Sequence, residues 1–449
     1  MNRLILALLL TLPLAADPGA PVEVPAKFDG VVTVPMPRDE RPDELAKQLA
    51  KAEERLQAAE LEHLDAEYDI GLVANDPKAA KPNTELLNAA LEAGWGGGRF
   101  QFVNGVVGPV LRPIHFQGKA FWFEGTIRTS LRDGGHLIGP GRMKPRGNGE
   151  YGPRGLGGAV TQFIQADPDP KTPFLLVRNA GFQLDGIYLY GRHLPGNIHS
   201  GKGDKQGVGI ALEGRSQPPT GRHRITNFAV VDCEIGMQFL AGYWKEDGDW
   251  VPCEEHADES TFADGAIKGG SIGIQSWNQQ AAGHNFDRMS IAVSAGGTIL
   301  DVHRGGNWRF TELFAGYSQY TLLKVYDFSP NNSYFFIDLN RDAFAGDEHR
   351  LTFFEYAGRK PGDNENVGWK DWHVRFRGNW SGERNAQAAK EIVRLNGLER
   401  SPDSYRNIWF DVHNYELLTP PAGLRWSDAD GPWQRLMPEA KGTKPEGAK

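Results

Sequence analysis

From about residue 174 onward, apolar and polar positions alternate in short runs separated by glycine, with the period of two that marks strands with one buried face. Four runs align: LDGIYLY from Leu184, ITNFAVV from Ile225, FDRMSIA from Phe286 and FTELFAG from Phe310. Each is followed by a second run, GIALEG from Gly209, GMQFLAG from Gly236, GTILDVH from Gly297 and YTLLKVY from Tyr320; GIQSWN from Gly273 and LTFFEYAG from Leu351 share that second pattern. The closest spacings are 24 residues (Phe286 to Phe310, Gly273 to Gly297) and 23 (Gly297 to Tyr320). Longer intervals then read as loop insertions in a constant coil.

A coil of 22 to 25 residues with two or three short strands, glycine turns and no helix predicts an all-β fold, a single-stranded parallel β-helix over about 75–420. Each rung leaves its strand edges unsatisfied until the next rung pairs with them. Leucine-rich repeats share the period, but their Leu-x-x-Leu-x-Leu signature with Asn is missing. Looser rungs follow as WHVRFRG from Trp372, EIVRLNG from Glu391 and IWFDVHNY from Ile408, and 421–449 reads as a tail, disordered from 438.

Upstream, NTELLNAALEAG predicts a helix near 83–93, with Asn83 or Thr84 as its cap, Leu86, Leu87, Ala90 and Leu91 on one face and Gly94 as its stop. A helix feeding into the first strand would cover the open end of a parallel sheet. Residues 41–70 carry a helical pattern with Leu45, Leu49, Ala52, Leu56 and Ala59 on one stripe, and 17–40 read as a linker. The stripe admits packing on its own domain, a homotrimer or a mobile arm. At the start, MNRLILALLLTLPLAA has one Arg and an apolar run too short to span a bilayer, as in a signal peptide ending near residue 16. Export to a secreted or periplasmic location is expected, with no membrane partner once the signal is removed.

The helix, the Gly-Gly turn, FQGKAFWFEGTIRTSL and GGHLIGPG together resemble the N-terminal coils of pectate-lyase-like right-handed β-helix proteins. The resemblance spans roughly 83–415. It implies a right-handed β-helix with an N-terminal helical cap and a polysaccharide as partner. The chain departs from the usual opening, with Asn83-Thr84 where an Asp-Thr is common and VNGVV where a Pro-x-Gly-x-Tyr turn is common. The polygalacturonase-type catalytic set is absent, and GHN at 283–285 is its nearest fragment.

Composition narrows the partners. A formal net charge of -8 argues against nucleic acid, and 55 glycines exceed the roughly 7% average, in keeping with many turns. The two cysteines, Cys233 and Cys253, leave a disulfide and two free thiols both open, and they lack ligand-spaced partners for zinc.

Placing Thr298, Leu300 and Val302 over Thr321, Leu323 and Val325 on an inward face leaves an outward column of Glu213, Leu240, Trp277, Asp301, Lys324 and Glu355, with His303 and Tyr326 beside it. In an elimination, His303 or Tyr326 could take the proton alpha to a uronate carboxylate that Lys324 neutralises. In a hydrolysis, Asp301 and Glu355 would be the carboxylate pair; two rungs separate their backbones by roughly 10 Å, at the upper end of what inverting enzymes use, with Lys324 between. Trp277 offers a platform for a sugar ring. The same residues could form an ordinary cross-strand charge ladder.

Two further groups stand out. The loop 243–264 is acidic, and Asp247, Asp249, Glu254 and Glu255 are its candidate calcium ligands, without the spacing of a known calcium loop. Arg192, Arg222 and Arg224 lie in a basic region between early rungs and could meet an anionic glycan. The sequence thus predicts a secreted polysaccharide-recognising β-helix protein, a lyase or a glycoside hydrolase, with a non-catalytic glycan-binding protein or a tailspike-like trimer as alternatives.

Overall fold

The structure is a computed structural model that describes residues 63–94, 113–131, 135–145, 151–153, 160–191, 205–216, 220–245, 248–253, 257–315, 320–326, 333–341, 351–357, 372–379, 393–395 and 408–413. The chain divides into Met1–Val31 and Val32–Lys449, and every described residue belongs to the second. The expected signal peptide, linker and tail all lie outside the described residues.

Strands alternate rung by rung between two long parallel sheets. Gln206–Leu212, Cys233–Phe239, Ile272–Ser276, Gly297–Val302, Tyr320–Val325 and Leu351–Tyr356 belong to a nine-stranded sheet. Between them in the chain come Arg224–Val231, Thr261–Lys268, Asn285–Ala292, Trp308–Ala315 and Ser333–Arg341 of a fourteen-stranded sheet. This is the all-β, stacked parallel arrangement that the repeat predicts, and it fits a parallel β-helix. One strand went unrecognised in the repeat: Thr261–Lys268 puts Phe262 between Ile225 and Phe286 in the register. Its Gly265 stands where Phe228 and Met289 bury a large side chain on the neighbouring rungs, so the apolar pattern is broken there.

Phe262, Phe286 and Phe310 stack inside at 4.8 and 4.4 Å between ring centres. Four consecutive strands of the larger sheet, from Arg224–Val231 to Trp308–Ala315, each carry one left-handed residue at the same place: Asn227, Asp264, Arg288 and Glu312, with φ of 49°, 52°, 50° and 56°. Inward residues therefore fall three apart there, as Ile225 and Phe228 do, instead of two. A left-handed non-glycine costs roughly 1–2 kcal/mol. At Arg288 a bidentate pair with Asp264, at 2.7 and 2.9 Å, offsets that cost. Where the two sheets come closest, only glycine fits: a Cβ on Gly236 would lie 2.1 Å from Ile267 Cγ2, and one on Gly209 2.2 Å from Val230 Cγ1.

The helix runs over Ala80–Glu92, behind a short turn of 3-10 helix at Pro77–Ala79 capped by Asp76. Asn83 and Thr84, expected at the cap, are instead buried inside it. Asn83 donates to the Trp122 carbonyl, Thr84 Oγ1 accepts from the Glu124 N–H, and Asn88 bonds the Thr126 carbonyl and the Arg128 N–H. These side chains pair backbone groups along 122–128 that would otherwise be left open. The predicted helix over 41–70 does not extend to its end, because Leu64–Asp65 is a strand paired in parallel with Ile114–His115; residues 41–62 lie outside the described residues. Cys233 is buried, Cys253 is partly exposed, and both are free thiols. Burial pushes the Cys233 thiol up, which makes it an inert core group.

Candidate functional site

Register fixes which residues of the smaller sheet are neighbours. One outward column runs Ala211, Gln238, Gln275, Asp301, Lys324, Glu355. A second lies just past the strand ends, where His303 donates its backbone N–H to Ser276 and Trp277 donates its own to Phe239. It runs Glu213, Leu240, Trp277, His303, Tyr326. Trp277 therefore stands over His303 and not over Asp301 as expected, a slip of two residues. Alignment on Gly273 and Gly297 caused it: Ile272, not Ile274, is level with Thr298. A slip of two leaves every side chain on its original face, so the alternating pattern could not reveal it.

The result is a stack of three rings on consecutive rungs. Trp277 and His303 lie 3.6 Å apart at 9°, and His303 and Tyr326 3.9 Å apart at 13°. Asp301 Oδ2 lies 3.1 Å from His303 Nε2 and accepts from Gln275 Nε2 at 2.8 Å, while Gln238 Nε2 donates to Gln275 Oε1 at 2.7 Å. Burial alone would raise the Asp301 carboxyl, but His303, the Gln275 amide and the Lys324 charge together hold it below its ordinary value. An ionised carboxylate cannot donate, so His303 Nε2 carries the hydrogen. Asp301 Oδ1 is buried with no hydrogen-bond partner. Burial, followed by the Asp301 charge, a hydrogen bond to the Asp301 carboxylate and the Glu355 charge, raises the Tyr326 hydroxyl, which stays protonated.

Exposure differs across the group. Trp277, Asp301 and His303 are no more than 6% exposed, and Glu355 is 7% exposed. Lys324 and Tyr326 form the half-buried edge. Lys324 Nζ lies 3.8 Å from Glu355 Oε1, in the gap between the two carboxylates of the hydrolytic reading. The expected open platform at Trp277 is therefore a packed ring. Gln238 and Gln275 escaped the sequence reading, although their place in MQF and IQS, two before Leu240 and Trp277, puts them on the same face.

Higher in the second column lies a buried ion pair that sequence reasoning also missed. Glu213 is fully buried, with Arg215 Nε 2.6 Å from its Oε2 and the Trp244 N–H 3.2 Å from its Oε1. Burial raises the Glu213 carboxyl, opposed by the Arg215 and Arg178 charges. The hairpin Gly242–Trp244/Trp250–Pro252 covers this end, Trp244 and Trp250 packing on Leu176, Ala211 and Leu240 and the Tyr243 ring lying under the Arg215 guanidinium.

Of the acidic candidates, Asp249 belongs to this hairpin turn, where its carbonyl accepts from Lys245; Asp247, Glu254 and Glu255 lie outside the described residues. Among the described residues no group of three His, Cys, Asp or Glu side chains is placed to hold a metal. Arg192 is likewise outside. Arg222 pairs with Glu259 at 3.1 Å in a turn, and Arg224 opens a strand of the other sheet, so neither joins Asp301. No described helix is long and apolar enough to cross a membrane. Comparison with family models, curated proteins and solved structures finds no match.

Proposed function

We propose that this chain is an exported, right-handed parallel β-helix protein of the pectate-lyase-like kind, capped by its N-terminal helix, that recognises and cleaves an extracellular polysaccharide. The observation that carries this reading is the Asp301–His303 pair held between Trp277 and Tyr326 on an outward face. A plain solvated ladder has no need to bury an ionised carboxylate, and such perturbed groups gather at functional sites.

Elimination on a uronate polymer fits the geometry better than hydrolysis. Lys324, at the open edge, supplies the charge that meets a uronate carboxylate, and the protonated Tyr326 hydroxyl can donate to the leaving oxygen. The His303 imidazole, its Nε2–H held by the Asp301 carboxylate, takes the proton alpha to the uronate carboxylate. The Lys324–Glu355 contact occupies the space that an attacking water would need in the hydrolytic arrangement.

A second reading, a non-catalytic glycan-binding surface, draws support from the burial of Trp277, Asp301 and His303. Incubation with a panel of uronate polymers, with and without chelator, separates the readings. An unsaturated product detected by its ultraviolet absorbance supports elimination, and its loss with chelator brings calcium into the reaction. Reducing ends without that absorbance indicate hydrolysis. Silence across the panel with retained glycan binding supports the non-catalytic reading.

A further inference from the structure

The larger sheet carries a second outward column, on a different face from the Asp301 group. Its register positions are His136, Gln183, Arg224, Thr261, Asn285, Arg309, Phe336 and Arg375, each level with the next. Not one is acidic, in a chain whose carboxylates outnumber its lysines and arginines by 57 to 49. Arg224, Thr261, Asn285 and Arg309 are exposed, Phe336 is 43% exposed, and Gln183 and Arg375 are half-buried. Tyr334 widens the platform, its ring 3° from parallel with that of Phe336.

A single exposed phenylalanine is ordinary on a protein surface. Here guanidinium, amide, hydroxyl and aromatic groups recur at the rung spacing of about 4.8 Å with no carboxylate among them. Two residues further along the same strands stand Asp185, Asp287 and Asp338. The cationic strip is therefore narrow and bordered by acids.

We propose that this column is a binding strip for a linear anionic polysaccharide lying along the stack, one sugar to about one rung. Guanidinium groups of Arg224, Arg309 and Arg375 meet its carboxylates in bidentate fashion. Asn285, Thr261 and Gln183 bond its hydroxyls, and the apolar face of a ring sits on Phe336. The acidic border disfavours a nucleic acid, whose phosphates spread charge across a wider footprint. The strip shares no residue with the Asp301 group and would hold a chain whether or not that group cleaves it.

The test is calorimetric titration of the full chain with polygalacturonate and with a neutral galactan, at two salt concentrations, with single-stranded oligonucleotide as competitor. The proposal predicts binding of polygalacturonate only, weakened by salt, and reduced about tenfold or more in an Arg309→Ala, Phe336→Ala double variant. Both positions are exposed, so the variant should keep the wild-type melting profile. Repeating the titration in a Lys324→Ala background, which removes the charge of the proposed cleavage site, isolates the strip, and the double substitution should lower the remaining affinity by the same factor there. Equal binding by the double variant, equal binding of the neutral galactan, or displacement by oligonucleotide at lower concentration than by polygalacturonate would each overturn the proposal. Failure of cleavage with retained, variant-sensitive binding would count against the cleavage reading alone.

Discussion

The imidazole of His303 lies 9° from parallel with the indole of Trp277, with 3.6 Å between the ring centres. The two residues belong to adjacent rungs, and the contact exists only because the parallel register places them level. Tyr326 completes the sandwich from the next rung, and Asp301 ties the middle ring to the strand. Ring orientation and the placement of a hydrogen on Nε2 are both set by these contacts.

Removing one slab of the sandwich should therefore cost stability. Trp277→Ala is expected to destabilise the fold by about 3 kcal/mol or more, and Trp277→Phe by clearly less, because the smaller ring still covers His303. Denaturant unfolding with an unchanged slope would measure both. Equal losses for the two variants would show that the stack itself adds nothing.

The interior predicts an acid sensitivity. His223 and His284 are 3% and 0% exposed, and burial lowers both to about 3, with the His223 charge adding to the effect at His284. An unfolded histidine titrates near 6.5, so below that pH the unfolded chain binds protons that the folded chain refuses. Stability is full above about pH 6.5 and falls as pH drops toward 3, by about 2 kcal/mol per histidine at pH 5. His115 and His136 are lowered too and act in the same direction. His284→Phe, a ring that can replace it beside Phe239, should remove about one histidine's share of the loss between pH 6.5 and 5. An unchanged pH profile in that variant would contradict the assignment.

The Glu213–Arg215 pair makes a prediction of opposite sign. Arg215→Ala leaves a fully buried carboxylate without its main partner and should cost about 3–5 kcal/mol near neutral pH. The variant's Glu213 pKa then rises further above its unfolded value, so the penalty should shrink as pH falls toward the ordinary carboxylate range. Unfolding midpoints of the variant and wild type at pH 8 and pH 5 would show the gap narrowing.

Much of the architecture was legible because the buried face repeats. The pairs Thr298 with Thr321, Leu300 with Leu323 and Asp301 with Lys324 follow directly from the alternation. The left-handed column was not legible, because Asn227, Asp264, Arg288 and Glu312 adopt a conformation that sequence assigns to glycine, and the rung Thr261–Lys268 was passed over because Gly265 takes the place of Phe228 and Met289. At the site, Asp301, His303, Lys324, Tyr326 and Glu355 do come together on one face. What the pattern could not supply was depth and register: it made Trp277 an open platform over Asp301, where it is a buried ring over His303, and it passed over Gln275.

The most direct test of the central claim is the initial rate of double-bond formation on the best uronate polymer of the panel, for wild type, Tyr326→Phe and Asp301→Asn. The account predicts measurable elimination by wild type and a loss of about 100-fold or more in each variant, with polymer binding retained. No elimination on any polymer, or variants that work as fast as wild type, would contradict it.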